Sequence, residues 1–183
     1  EERRLREGHL WIYSNEVDVA ATPLKDFAAG EQVRVEDSKG KFLGIATLNP
    51  NALICGRLVS RDENYPLSKS LLVHRLQVAL GLREALYPQP FYRLVYGDSD
   101  FLPGLVIDRF GDVCVVQVST VGMELLKAEI VEALEKVLSP RGILFKNNGK
   151  MREVEGMVGY VEIGAGEVPD EVELIENGVK FIA

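Results

Sequence analysis

Hydrophobic and polar positions alternate over short distances in the first part of the chain. Three apolar runs, at 32–35, 42–48 and 53–59, are separated by short polar turns. Runs of this length between turn-forming residues predict β-strands, and closely spaced strands are typical of a small barrel or sandwich. Residues 61–68 then form a polar break that contains a proline, and we place a domain boundary there.

The hydrophobic spacing becomes helical after this break. Ser68 is a suitable N-cap, apolar residues recur every three or four positions, and Tyr87-Pro88 ends the run. A second helix is predicted over 123–138, with an acidic residue near its start and a basic residue near its end, as the helix dipole favours. Further apolar runs predict strands at 91–96, 104–107, 113–118, 143–146, 157–163 and 172–175. This series predicts an α+β domain with two helices packed on a mixed or antiparallel sheet.

The last apolar runs flank Asn177-Gly178, a pair that suits the type I′ turn of a two-residue β-hairpin. The sequence ends at Ala183, soon after this turn. A hairpin followed at once by a terminus suggests that more chain belongs after it. The absence of an initial methionine suggests trimming at the other end.

The net charge of −7 is concentrated near the C-terminus. Residues 151–183 carry eight acidic and two basic side chains, a net of −6, so a basic patch elsewhere is compatible with the composition. Cys55 and Cys114 lie in separate apolar runs, which favours buried free thiols in a reducing compartment over a disulfide or a metal site. No apolar run indicates a membrane span or a signal peptide. We therefore expect a cytoplasmic protein.

The N-terminal segment combines basic and aromatic side chains. Its members are Arg3, Arg4, Arg6, His9, Trp11 and Tyr13, and Arg57 and Arg61 are weaker additions from later in the chain. Arginines pair with phosphates and aromatic rings stack on unpaired bases, so this composition is typical of RNA contact. The alternative places both aromatic residues in the core of a first strand. The arginines would then form a solvated face paired with Glu1, Glu2 and Glu7.

No segment assembles a convincing catalytic set. Residues 161–166 place a glutamate before Gly164-Ala165-Gly166, like the cofactor turn of a Rossmann-type methyltransferase. That turn must lead into a helix, and here the next predicted element is a strand, so we do not expect a cofactor site. Neither cysteine has a neighbouring His, Lys or Arg that would lower its thiol pKa, so we expect no nucleophile.

The run from 93 to 112 contains Asp98, Asp100, Asp108 and Asp112. Their spacing fits no calcium loop, and neither histidine nor cysteine lies beside them to complete a transition-metal set. Aspartates in glycine-rich turns more often accept backbone N–H bonds, so we interpret the run as a structural element.

Three blocks carry a family resemblance. GHLWIYSNEV (8–17) and the strand series at 30–60 look like a PUA domain, and YRLVYGDSDFLPGLVIDRFGD (92–112) looks like a central-domain signature. Together they resemble the bacterial ribosomal RNA large-subunit methyltransferase I family. Its members are S-adenosylmethionine-dependent 5-methylcytosine enzymes with an N-terminal PUA domain. Asp98 and Phe101 depart from the signature, where glutamate and glycine are common.

The resemblance implies a PUA-like β pseudo-barrel over 1–62 and the family's central α+β domain over 67–183. It also implies a C-terminal Rossmann-type methyltransferase domain, with the cofactor turn and the catalytic cysteines, that this sequence does not contain. S-adenosylmethionine is implied for the parent protein and not for these residues. We therefore expect the chain to bind and position ribosomal RNA for that missing domain and to methylate nothing by itself.

Two other functions stay open. The chain could be a scaffold that packs on the methyltransferase domain or on a second copy as a homodimer, with little RNA contact. The acidic stretch 151–183 favours this function, because negative charge repels phosphate. The chain could also be a stand-alone PUA-type RNA-binding regulator.

Overall fold

The computed structural model describes residues 2–176 and 178–182. Within them lie five α-helices: α1 (Glu2–Arg6), α2 (Lys69–Leu86), α3 (Val121–Glu124), α4 (Lys127–Leu138) and α5 (Met151–Val154). The strands are β1 (Trp11–Tyr13), β2 (Gln32–Glu36), β3 (Phe42–Leu48), β4 (Ile54–Ser60), β5 (Phe91–Tyr96), β6 (Leu105–Phe110), β7 (Val113–Val118), β8 (Gly142–Asn147), β9 (Tyr160–Gly166), β10 (Glu173–Glu176) and β11 (Val179–Ile182). None of the helices described is both long and apolar enough for a membrane span.

The first sheet contains the three strands that the hydrophobic pattern predicts. Its order is β1-β4-β3-β2, and all neighbours are antiparallel. One face packs against α1 through a small core that includes Leu5, Ile12 and Leu58. Alternate apolar residues on the strands supply this core, so the three predicted strands form as the pattern indicates.

The second sheet has the order β5-β6-β7-β8-β9. All of its pairs are antiparallel except β7 and β8, which run parallel and are joined by a crossover that contains α3 and α4. Helices α2 and α4 pack on each other and share one buried core with the strands. The predicted α+β class, with two main helices on a mixed sheet, is confirmed.

Helix α2 begins and ends where the sequence predicts. The Ser68 hydroxyl accepts a hydrogen bond from the Leu71 backbone N–H at 3.5 Å, which satisfies one of the free donors of the first turn. Leu72 and Leu76 are buried on its inner face. The helix stops at Tyr87 because the following proline disfavours a helical conformation there.

The predicted single helix at 123–138 is wrong, because the structure contains two. Leu126, with φ −102° and ψ 22°, separates α3 from α4. Glu124 is not a dipole partner of α4, since its carboxylate accepts hydrogen bonds from Arg152 at 2.8 Å and from the Tyr160 hydroxyl at 2.7 Å. Long-range contacts, rather than local periodicity, therefore set the start of α4.

Strand β9 runs through Gly166, whereas the predicted strand ends at residue 163. The glycines there allow close packing. A Cβ atom on Gly164 would lie 2.6 Å from the Phe145 ring, and one on Gly166 would lie 1.9 Å from the Arg141 carbonyl oxygen. Strand β9 continues through residues 164–166 because glycine lets its backbone approach β8 closely.

The predicted C-terminal hairpin is present as β10 paired antiparallel with β11. Asn177, half of the predicted turn pair, lies outside the described residues, so the turn type stays a prediction. Val179, Phe181 and Ile182 are exposed on this hairpin.

The two sheets are not separate in their packing. Ile45 and Val59 of the first sheet belong to the buried core that surrounds Leu72 and Leu76 of α2. Contact across the two parts is also close elsewhere. A Cβ atom on Gly122 would lie 2.5 Å from Cβ of Thr47, so only glycine fits at this position without displacement. The first sheet thus has a small core of its own on one side and contributes to the core of the second sheet across the predicted boundary at 61–68.

Candidate nucleic-acid interface

Most of the predicted contact residues meet on one edge of the first sheet. Trp11 of β1 lies opposite Arg57 of β4, whose guanidinium is 5.8 Å from the centre of the indole ring. Arg61 donates a hydrogen bond to the His9 carbonyl oxygen at 3.1 Å. We call this patch the N-terminal surface; its members are Arg4, His9, Trp11, Tyr13, Arg57 and Arg61.

Arg3 and Arg6 lie on α1 and have different surroundings. Arg3 forms an exposed i,i+4 pair with Glu7 at 2.7 Å, and 88% of its side chain is exposed. Arg6 pairs with Asp37, and it lies 4.0 Å from Glu2. The pairing of these arginines with nearby acids agrees with the alternative interpretation of the segment, although Glu1 lies outside the described residues.

Two arginines of the N-terminal surface are already neutralised. Arg4 donates to both carboxylate oxygens of Glu16 at 2.6 Å. Burial opposes ionisation of Glu16, but hydrogen bonds from the Tyr13 backbone N–H and from Arg4 outweigh it and lower the pKa of this carboxyl. Arg57 lies 3.4 Å from the buried Glu155. Exposed phosphate would compete with these carboxylates for both guanidinium groups.

Trp11 joins the N-terminal surface to the 93–112 run. Trp11 is 37% exposed, and its indole N–H donates to Oδ2 of Asp98 at 2.7 Å. Tyr13 is partly buried, with the Arg4 guanidinium 5.2 Å from its ring centre. The two aromatic side chains are therefore neither fully buried nor free. Neither alternative from the sequence, open RNA contact or burial in the core, describes this state.

The aspartates of the 93–112 run all have defined partners. Asp100 forms a bidentate pair with Arg83 at 2.6 and 2.7 Å and also accepts a hydrogen bond from the Tyr96 backbone N–H. Asp108 and Asp112 pair with arginines of neighbouring strands or loops. The structural interpretation fits these contacts, but the donors are mainly side chains rather than the backbone N–H groups that we expected. Within the described residues, no cluster of three His, Cys, Asp or Glu side chains could hold a metal ion.

A groove beside the N-terminal surface was missed in the sequence. Residues 60–66 form one wall, the exposed side of α2 forms the second, and residues 99–101 form the third. We call it the linker groove. Arg61, Tyr65, His74, Arg75 and Phe101 line it. In the sequence, Arg75 looks like an ordinary surface residue of a helix. The one sequence feature that pointed to the groove was Phe101, which stands where the signature commonly has glycine.

The Gly-x-Gly segment at residues 164–166 does not fit S-adenosylmethionine. The Gly164-Ala165-Gly166 segment lies within β9, and it does not lead into a helix. Its glycines face Phe145 and the Arg141 carbonyl at distances that leave no space for a ligand. No step of methyl transfer is therefore assigned to these side chains.

Both cysteines are free and buried, as the sequence predicts. Burial raises the pKa of the Cys114 thiol from 9.0 to about 11. Burial also raises the pKa of Cys55. These shifts favour the neutral thiol, so neither side chain is poised to act as a nucleophile.

We expect Cys114 in the folded protein to react with a thiol reagent at pH 8 about 100-fold more slowly than an exposed cysteine, because its thiolate fraction is lower by that factor. Since the folded-state pKa is raised, the stabilisation from this neutral thiol is complete below about pH 9 and declines as the pH rises towards 11. The rate of reaction with a chromogenic disulfide, measured for the folded chain and for the chain unfolded in urea, tests the predicted reactivity. Rapid labelling of the folded Cys55→Ala variant would contradict it.

Residues 1–61 match the family model described as a PUA-like domain. Over 186 residues the chain is 33% identical to ribosomal RNA large subunit methyltransferase I of Tolumonas auensis, and the match covers 98% of the chain and 46% of that relative. It is 32% identical over 184 residues to the protein of the same name from Aliivibrio fischeri, with the same coverage. The chain thus spans about half the length of the curated relatives it matches.

A solved structure titled "A putative sam-dependent methyltransferase from Streptococcus mutans" is similar in fold. Its TM-score is 0.78 at 21% identity, and the match covers 99% of this chain and 45% of that one. The resemblance read from the three sequence blocks is confirmed, because the homologues cover nearly the whole chain.

Proposed function

We propose that this chain, homologous to ribosomal RNA large subunit methyltransferase I over 98% of its length, binds and positions ribosomal RNA for cytosine C5 methylation. The observation that carries the proposal is the PUA-like domain at residues 1–61, whose exposed edge bears the N-terminal surface. Homology and this domain together support an RNA-binding role. We place the parent enzyme, and its part in ribosomal RNA processing, in the cytoplasm, where two free thiols persist.

The proposed RNA contacts differ in how readily they reach a ligand. They are Arg3, Arg4, Arg6, His9, Trp11, Tyr13, Arg57 and Arg61. Arg61 makes its hydrogen bond to a carbonyl oxygen. Arg3 pairs with Glu7, but both side chains are exposed and such a pair is weak, so Arg3 and Arg61 can meet phosphate first. Arg4 and Arg57 contact carboxylates, and they would shape the surface more than they would neutralise RNA.

Methyl transfer itself is assigned to the part of the relatives that lies outside the match. S-adenosylmethionine, when bound there, would supply the methyl group. The side chains described here would act before the chemistry, by holding RNA in one register through phosphate contacts and by stacking an unpaired segment. We propose residues 1–62 and 67–183 as the two domains that do this.

A titration with a hairpin of large-subunit ribosomal RNA at about 50 and 200 mM salt tests the proposal. We expect affinity to fall about tenfold between the two salt concentrations, because two or three phosphate contacts release counterions. The double variant Arg3→Ala, Arg61→Ala should bind more weakly and show a smaller salt slope. Arg141→Ala is the control, because it removes an exposed positive charge that does not belong to the N-terminal surface.

No binding at the lower salt concentration would overturn the proposed function. A loss of binding free energy in the control equal to half that of the double variant, one charge against two, would show that binding depends on overall charge alone. The RNA contacts would then have to be sought elsewhere on the chain.

A scaffold function is the second candidate, and one surface favours it. Glu162 of β9 pairs with Lys127 of α4, so its neighbours Val161 and Ile163 point to the opposite, uncovered face of the sheet. Both are more than half exposed. A methyltransferase domain or a second copy of the chain could cover this face. A dimeric mass in light scattering that Ile163→Glu reduces to a monomer would support the scaffold.

A further inference from the structure

We propose that the linker groove binds a single-stranded segment of RNA, with phosphates on Arg61 and Arg75 and a base stacked on Phe101. This inference rests on the proposed RNA-binding function and gives it a second site beyond the N-terminal surface. Arg61 lines both surfaces, so they are continuous.

The first step is the charge of the groove. Arg61 donates to the His9 carbonyl oxygen, and Arg75 donates to the Phe101 carbonyl oxygen. Among the residues that the structure describes, neither guanidinium has a carboxylate oxygen within 4.0 Å. Arginines usually find acidic partners in this chain, so a pair left without them on one groove marks an anion site.

The acidic residues of the groove do not cancel this charge. Asp100 is held by Arg83 in a bidentate pair. Asp62 accepts hydrogen bonds from the backbone and side-chain N–H groups of Asn64. Two arginines therefore face one carboxylate that is not paired with a cation. Burial also lowers the pKa of Arg75, a direction that agrees with a guanidinium lacking a carboxylate partner.

The second step is the aromatic surface. Phe101 is 57% exposed on the wall formed by residues 99–101, and Tyr65 is 62% exposed on the wall formed by residues 60–66. The Arg75 guanidinium lies 5.8 Å from the centre of the Phe101 ring. Exposed rings beside unneutralised arginines are how proteins hold unpaired bases, because the ring stacks on the base while arginine binds the phosphate.

The third step is the backbone at Phe101. Its φ of +57° lies in the left-handed region, which favours glycine and is costly for a bulky side chain. The exposed ring gains little from burial to offset this strain. Strained residues of this kind cluster at ligand sites, where the strain fixes a side chain in a useful direction. Here it directs an aromatic ring into the groove.

Single-stranded RNA fits these features better than a duplex does. Bases must be unpaired for a ring to stack on them, and duplex RNA exposes mainly phosphates and hydroxyls. Apolar side chains of α2, including Leu71 and Val78, line the groove beside the arginines and would contact base or sugar faces.

The test is a fluorescence anisotropy titration of the whole chain with a fluorescein-labelled single-stranded RNA of about ten nucleotides. Two variants, Phe101→Gly and Arg75→Gln, remove the ring and the charge separately. Phe101→Gly suits its left-handed backbone, so the melting temperature should not fall. We expect each variant to weaken binding about tenfold, which for Phe101→Gly lies in the range for the loss of one stacked base and for Arg75→Gln reflects the loss of one phosphate contact.

Tyr96→Ala is the matched control. Tyr96 is equally exposed and has an arginine 5.1 Å from its ring centre, but that arginine is neutralised by Asp108, and Tyr96 lies outside the groove. Its loss should change the affinity less than twofold. A second readout is the quenching of 2-aminopurine in the same RNA, which reports stacking and should disappear in Phe101→Gly.

The outcomes separate this inference from the proposed function. If the wild-type chain binds RNA but Phe101→Gly and Arg75→Gln bind equally well, the groove is not an RNA site and the N-terminal surface still stands. If the wild-type chain binds neither this RNA nor the ribosomal hairpin, both proposals fail. Should one variant not fold, the other decides the question.

Discussion

Replacing Arg152 by methionine is expected to lower the free energy of unfolding by about 3–5 kcal/mol, because the change breaks a buried charged network and leaves its partners unpaired. Only 4% of the Arg152 side chain is exposed. Its guanidinium donates to the Val118 carbonyl at 2.8 Å, to the Val158 carbonyl at 3.0 Å and to Glu124 at 2.8 Å. Methionine fills similar volume but donates no hydrogen bond. Urea unfolding followed by circular dichroism measures the loss.

The control is Arg141→Met, an arginine with the same stem. Its side chain is 51% exposed and pairs with exposed Asp112 at 3.5 Å, so we expect a change within about 0.5 kcal/mol. A loss below about 1 kcal/mol for Arg152→Met would show that the network around Glu124 rearranges at little cost.

Replacing Glu155 by alanine should cost about 2–4 kcal/mol, since this carboxylate joins the two parts of the chain and its removal leaves buried donors unsatisfied. The carboxylate accepts hydrogen bonds from Asn49 Nδ2 at 2.9 Å and from the Val121 backbone N–H at 3.5 Å, and it pairs with Arg57 at 3.4 Å. Only 3% of its side chain is exposed.

Two probes measure this prediction independently. Trp11, the single tryptophan, reports on the first sheet and its contact with Asp98, while the far-ultraviolet signal reports mainly on α2 and α4. We expect coincident transitions in the wild-type chain and an earlier tryptophan transition in Glu155→Ala. Glu153→Ala, which changes an exposed glutamate two residues away, should leave both transitions unchanged. Coincident and unshifted transitions in Glu155→Ala would contradict the prediction.

The sequence correctly predicted the helices and strands whose bounds depend on residues close together in the chain. The strands at 91–96 and 113–118 and the start of α2 at Ser68 agree with the structure because alternation, capping and a following proline act within a few residues. The helix predicted over 123–138 was wrong because Gly122 packs on Thr47, and Glu124 turns towards Arg152. Those contacts join residues far apart in sequence, and no local window contains them.

The sequence also does not predict which charges on the candidate surface are available to a ligand. Grouping Arg4 with Arg61 is reasonable from composition, but the structure gives Arg4 a carboxylate from Glu16 and gives Arg61 a carbonyl oxygen from His9. Which arginines keep charge available for phosphate depends on such partners. The linker groove depends further on Phe101, whose left-handed backbone a sequence does not display.

The core shared by the two sheets has a thermodynamic consequence for any ligand that touches both. Two domains joined by a loose tether lose relative rotational freedom when one ligand bridges them, and that loss weakens the bridged complex. Here Ile45 and Val59 already lie against α2, so swinging one sheet away from the other would expose them to water. RNA that runs from the N-terminal surface into the linker groove would meet a template of fixed curvature, and the direction of its path would be set before it binds.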